Sequence, residues 1–152
     1  MAALRESDLR LFVESVSHYF NVTSRIAPEI TSAFLGVGAL PGHDFNGIVN
    51  FSGHFTGHVI VSLPAAALKE LLLIQRETNL SQANLLDAVG EIANTLAGNA
   101  RRSLGKELEI SVPTVVHGRI NGDARTRKHP YVITLKWNHH SAMVCVDMER
   151  KG

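Results

Sequence analysis

The residues best suited to chemistry lie in one stretch, LLDAVGEIANTLAGNARRSLG, residues 85–105. Glu91 and Asn94 stand three apart. In a helix, which turns ~100° per residue, their side chains project next to each other. A carboxylate accepts hydrogen bonds, whereas a carboxamide both donates and accepts. Side by side, they form a polar pair on one face of the helix. Asp87 lies one turn before Glu91, and Gly90, Gly98 and Arg101 flank the pair. Glycine costs about 1 kcal/mol against alanine inside a helix. Two glycines beside an acid–amide pair therefore predict a surface that another molecule approaches closely. The plain alternative is a solvated helix face, on which Ala, Lys or Gln would serve better than glycine.

A rigid element must present this pair. Leu85, Val89, Ile92, Leu96 and Ala100 fall on the opposite side at helical spacing and predict a core stripe. Ser81 is the expected cap of this helix and Gly105 its C-terminal stop. Upstream, Leu9, Phe12, Val13, Val16, Tyr19 and Phe20 predict a first helix from Ser7 to Asn21. The segment Thr23 to Phe34, broken by Pro28, reads as an edge strand, and Gly36 to Asn46 as a loop. Phe45 to Ser52 and Gly57 to Leu63 flank Gly53-His54-Phe55-Thr56 as a hairpin. Pro64 opens a second helix, Ala65 to Arg76. Leu108 to Val116, Tyr131 to Trp137 and Ala142 to Met148 read as strands, the last two joined by the turn Asn138 to Ser141. This order predicts an α+β fold: a largely antiparallel sheet packed by an N-terminal helix and two central helices.

Length and composition bound the function classes. With 152 residues, 45% hydrophobic and 19% charged, the chain reads most simply as one globular domain, residues 1–152. A net charge of +1 offers no broad electrostatic case for nucleic acid or a membrane surface. The sequence starts without a secretory pattern, and no apolar run approaches the ~20 residues of a spanning helix, so a cytoplasmic protein is expected. The one cysteine, Cys145, sits among Met143, Val144 and Val146 and reads as a buried strand thiol. Eight histidines raise the question of a metal. His54 and His58 are four apart on an expected hairpin, and His139 and His140 are adjacent in a turn, so neither pair builds a helical zinc face. No Gly-x-Ser-x-Gly nucleophile motif occurs.

The helix resembles the signature helix of the CheC/CheX/FliY family of chemotaxis phosphatases. That signature is Asp or Ser, three residues, Glu, two residues, Asn, then a proline some twenty residues on; Asp87, Glu91, Asn94 and Pro113 stand in those places. Two further segments resemble CheX in particular. Phe51-Ser52-Gly53-His54-Phe55-Thr56-Gly57-His58-Val59 is similar to its Ser-Gly-x3-Gly hairpin, and Pro113 to Gly118 to the strand after its signature helix. Pro113 comes slightly early, and residues 121–130 depart from the family pattern. No second Glu-x-x-Asn follows Glu14, Glu70 or Glu77, which favours the single-site CheX type.

The resemblance implies a phosphatase for the aspartyl phosphate of a CheY-like response regulator, working as a homodimer that joins sheets. It implies catalytic roles for Glu91 and Asn94: Asn94 would aim water at phosphorus and Glu91 would dock the regulator's lysine. Asp87, Gly90, Gly98 and Arg101 would form the surrounding partner surface. The chain would need no metal of its own, because the phosphorylated regulator brings Mg²⁺. A non-catalytic dimeric adaptor on the same fold, within a signalling or flagellar complex, is the alternative.

Overall fold

Side-chain alternation along two neighbouring strands sets the architecture. In the computed structural model, which describes residues 2–3, 6–35, 42–118 and 130–150, these are β3 (Phe45–Ser52) and β4 (Phe55–Leu63). Phe45, Val49 and Phe51, with Phe55, Val59, Val61 and Leu63, point to one face and are buried there. The remaining elements are β1 (Ala2–Ala3), α1 (Glu6–Ser24), β2 (Glu29–Leu35), α2 (Ala65–Ile74), α3 (Gln82–Leu104), β5 (Glu109–Ile110), β6 (Thr114–His117), β7 (Tyr131–Trp137) and β8 (His140–Arg150). All the strands pair antiparallel in one sheet, in the order β2-β7-β8-β4-β3-β5. β1 adds to β8, and β6 adds to β3 beyond β5. The expected α+β class with its antiparallel sheet is what the chain adopts.

The helices stack on the face that carries the aromatic strand residues. α3 lies so close to β3 that a Cβ on Gly47 would stand 2.5 Å from the Val89 carbonyl oxygen. Glycine is what allows the helix that contact. α1 packs on α3, where the Asn99 amide donates to Ser15 Oγ at 2.8 Å. The C-terminal end of α1 is tied to β7: Trp137 Nε1 donates to Ser24 Oγ at 3.1 Å and to the Ile26 carbonyl at 3.2 Å. On the other face, Ile48, Ile60 and Cys145 form a small buried cluster.

Several boundaries differ from the sequence reading, each for a local reason. α1 continues to Ser24, whose hydroxyl donates back to the Phe20 carbonyl at 2.6 Å, so the edge strand starts only at Glu29. The first hairpin turns on Gly53 and His54 alone; Phe55 and Thr56 belong to β4, paired with Arg150 and Glu149. Gly53, at φ 103°, makes that tight turn possible. The second hairpin likewise needs only Asn138 and His139, both at positive φ (46° and 70°), the mirror-image geometry that fits strand twist. α2 stops at Ile74, two residues short of expectation, with Arg76 at φ 65°. The strand expected over 108–116 is two short strands separated by residues 111–113, where Pro113 has no N–H to give the ladder. β1 has no counterpart in the sequence reading. Residues 36–41 of the expected loop, and 121–129 of the divergent segment, lie outside the described residues. No helix among the described residues is long and apolar enough to cross a membrane.

Candidate functional site

α3 is held at both ends by the residues expected to hold it. Ser81 Oγ accepts from the Asn84 N–H at 3.3 Å, and Gly105, at φ 122°, donates its N–H to the Arg101 carbonyl at 3.0 Å. The five stripe residues are buried, together with Gly90, Ala93 and Ala97. Asp87, Glu91, Asn94 and Arg101 are exposed on the other side, and Gly98 is half-buried.

The outward face is distinguished by what its side chains leave undone. α3 contains three asparagines. Asn84 donates to the Asn79 carbonyl at 2.7 Å, and Asn99 donates to Ser15. The Asn94 carboxamide makes no hydrogen bond among the described residues. Glu91 uses its backbone carbonyl, which accepts from Thr95 Oγ1 at 2.9 Å, while its carboxylate has no hydrogen bond or ion pair among the described residues. Asp87 stands one turn away with the same sign of charge, an arrangement that costs an isolated helix a few tenths of a kcal/mol. No lysine or arginine lies three or four residues from Glu91 on the helix surface. The fold thus maintains a bare acidic group and a bare amide side by side, ready for donors and acceptors from outside.

The flanking residues divide. A Cβ on Gly98 would meet nothing within 4 Å. At Gly90 it would stand 2.8 Å from Val115 Cγ1 and 3.6 Å from Pro113 Cβ. β6 and the residue before it thus occupy the space beside Gly90. Arg101 is also spent within the chain, its guanidinium donating to the Leu108 carbonyl at 2.8 Å and the Lys106 carbonyl at 3.3 Å. It closes the turn after α3.

A groove of about 260 Å³ opens beside Glu91, where α1, α2 and α3 meet. Tyr19, Gln75, Glu77, Asn84, Asp87 and Glu91 give it polar walls over Leu71, Leu72 and Ala88. Burial, and secondarily the Glu91 carboxylate, push the Tyr19 phenol up to about 12. Sequence reasoning treated Tyr19 as one more core position of the first helix. The signal available was a hydroxyl at the edge of an otherwise apolar stripe.

Other candidates form no second centre. His54 Nε2 lies 3.1 Å from the Leu104 carbonyl, and His140 Nε2 lies 2.5 Å from Glu70 Oε2. Among the described residues no group of three or more His, Cys, Asp and Glu could hold a metal ion. Cys145 is fully buried, and burial, then Asp147, push its thiol up to about 12, the opposite of nucleophile activation.

Comparison with known proteins bears on the whole assembly. The family model for chemotaxis phosphatase CheX matches residues 45–136, a span that includes Asp87, Glu91, Asn94 and Pro113. No curated protein matches the sequence. Among solved structures, the chain is similar to the chemotaxis protein CheX from Desulfovibrio desulfuricans, with 22% identity, a TM-score of 0.79, and 94% of this chain and 99% of that one covered. The chemotaxis protein CheX from Vibrio vulnificus matches at 18% identity and TM-score 0.77, covering 94% and 99%. The CheX–CheY–BeF3–Mg²⁺ complex from Borrelia burgdorferi matches at 14% identity and TM-score 0.76, covering 96% and 100%. At these identities the structures speak for the fold, and the family model speaks for the sequence that builds the site. With over half of the 152 residues matched, from the first hairpin through α3 to β7, the chain belongs to the chemotaxis phosphatase CheX family.

Proposed function

We propose that this protein accelerates hydrolysis of the aspartyl phosphate of a CheY-like response regulator. The observation that carries the reading is the pair of unengaged side chains, Glu91 and Asn94, exposed on a helix that is capped at both ends. Family membership supports it, as does the similarity of this fold to a CheX found in complex with CheY.

Each residue has a distinct task in this mechanism. The carboxamide of Asn94 offers one donor group and one acceptor, enough to hold a water molecule in line with the phosphorus. Water oxygen attacks, the bond from phosphorus to the aspartyl oxygen breaks, and inorganic phosphate leaves a free carboxylate. Ordering the water removes entropy from the barrier, and positioning supplies most of what phosphoryl transfer demands. Glu91 docks: its carboxylate accepts a charge-assisted hydrogen bond from the regulator's lysine. The regulator contributes its own Mg²⁺ and acidic pocket. Asp87 extends the negative surface, and the open space at Gly98 admits the partner's backbone.

The test is a dephosphorylation assay with a phosphorylated receiver protein. Asn94→Ala is expected to cut stimulated hydrolysis about 100-fold, the scale of a lost positioning group, without shifting the melting temperature. Glu91→Gln is expected to raise KM for the phosphorylated regulator about tenfold, one charge-assisted contact. An unchanged rate with Asn94→Ala removes the water-positioning role. Binding by the wild-type chain without any acceleration replaces the enzyme by an adaptor.

A further inference from the structure

The turn of α3 that carries Glu91 and Asn94 is held from two sides. On the inner side it sits against strands. A Cβ on Gly47 of β3 would stand 2.5 Å from the Val89 carbonyl oxygen and 3.2 Å from Ala93 Cβ, and Val115 of β6 fills the space beside Gly90. On the outer side a single side-chain hydrogen bond acts among the described residues: Thr95 Oγ1 donates to the Glu91 carbonyl at 2.9 Å. In an α-helix that carbonyl already accepts the Thr95 N–H, so it takes two donors from one residue. A hydroxyl that bonds back four residues bends the helix locally. Ser24 makes the same bond to Phe20, but in the last turn of α1, where the helix ends. Thr95 makes it in mid-helix, with α3 running on to Leu104. Threonine is also a poorer helix former than alanine, so local propensity gives no reason for it at this position.

We infer that Thr95 is a positioning residue for the water-ordering step: by drawing on the Glu91 carbonyl, its hydroxyl sets the shape of the turn and so the direction in which Asn94 presents its carboxamide. The inner side of the turn cannot give, because strand backbone and side chains already stand in contact there. The pull of the hydroxyl is therefore taken up on the outer side, where Glu91 and Asn94 leave the helix. Both side chains start from this one turn, so a change in its curvature moves one relative to the other. The bond also selects one of the two threonine rotamers open in a helix, which keeps the tie in one state. A misplacement of about 1 Å costs on the order of 100-fold in rate, so even a small change of curvature is expected to register in turnover. The inference rests on the phosphatase reading for the reaction that Asn94 serves.

Thr95→Val keeps the branched shape and removes the donor; Thr95→Ser keeps the donor and removes the methyl. Steady-state dephosphorylation of a phosphorylated receiver should show kcat lowered about fivefold in the valine variant, with KM within about twofold of wild type. The serine variant should restore kcat to within about twofold. In an Asn94→Ala background, Thr95→Val should have less than about a twofold further effect, because a residue acting through Asn94 has nothing left to place. A merely structural threonine would give the same loss in both backgrounds, and that additivity would overturn the inference. So would a valine variant that turns over like wild type. Crystal structures supply a readout besides activity: the Glu91 and Asn94 Cβ atoms should be displaced relative to each other in the valine variant and not in the serine variant. An unchanged turn in the valine variant overturns the positioning role. If the wild-type chain fails to accelerate dephosphorylation at all, the functional reading falls, and the crystal comparison still decides whether Thr95 shapes the turn.

Discussion

One methyl group separates the two glycines on the outer side of α3. At Gly98 an added Cβ enters open space, so Gly98→Ala should recover helix propensity worth up to about 1 kcal/mol. For a chain of this size that raises the melting temperature by roughly 2–4 °C. If the partner's backbone approaches there, the more stable variant should bind a phosphorylated receiver more weakly; stability gained with binding unimpaired takes Gly98 off the docking surface. At Gly90 the same methyl would stand 2.8 Å from Val115 Cγ1. A β-branched strand residue gives way poorly, and the overpacking cost of about 1–3 kcal/mol cancels or exceeds the propensity gain. Gly90→Ala should therefore melt below Gly98→Ala, which a pair of thermal scans decides. The outward placement of Glu91 and Asn94 was legible from helical spacing alone. The different fates of Gly90 and Gly98 were not, because the atom that fills one space and spares the other belongs to a strand distant in sequence.

At the scale of elements, caps and turns were the readable part. Ser81, Gly105 and Pro64 stop or start helices where local backbone chemistry requires it. What binds α2 to the sheet was not readable. Glu70 accepts from Asn138 Nδ2 at 2.5 Å through one oxygen and meets His140 Nε2 at 2.5 Å through the other, so α2 is pinned to the β7–β8 turn. Both side chains are partly exposed, at 37% for Glu70 and 22% for His140, which limits the pin to about 1 kcal/mol. Glu70→Ala should loosen α2 locally. Native-state hydrogen exchange is expected to quicken for amides of α2 while β3 and β4 keep their protection. Equal protection in wild type and variant would mean that apolar packing of Leu68 and Leu71 holds the helix unaided.

For the molecule as a whole, two weak acids report on folding, the buried Cys145 and the half-buried Tyr19. The Cys145 thiol and the Tyr19 phenol hold their protons to about 12 in the folded chain, against ordinary values of 9.0 and 10.0. Burial is the main cause for both, with Asp147 adding to the first and Glu91 to the second. Above the unfolded values the unfolded chain binds fewer protons than the native one, so unfolding free energy falls as pH rises. The contribution is complete below pH 9 and is lost progressively towards pH 12. Denaturant midpoints should therefore drop between pH 8 and pH 11, and Cys145→Ala should flatten the early part of that fall. At pH 8 a thiol reagent should label the native chain only as fast as it opens, with rates that climb with denaturant. Rapid labelling without denaturant would place Cys145 in a locally fraying strand.

By itself, the sequence determined what is local: α3 with its caps and buried stripe, the two hairpins, the α+β class, and the outward pair at positions 91 and 94. Those follow from backbone periodicity, which each segment carries within a dozen residues. Only the tertiary structure decided that β6 occupies the space at Gly90, that Arg101 closes its own turn, and that Tyr19 shares a groove with Glu91. Those facts depend on which distant segments meet, and packing between elements is settled by shape and volume at the contact, for which a linear spacing has no symbol.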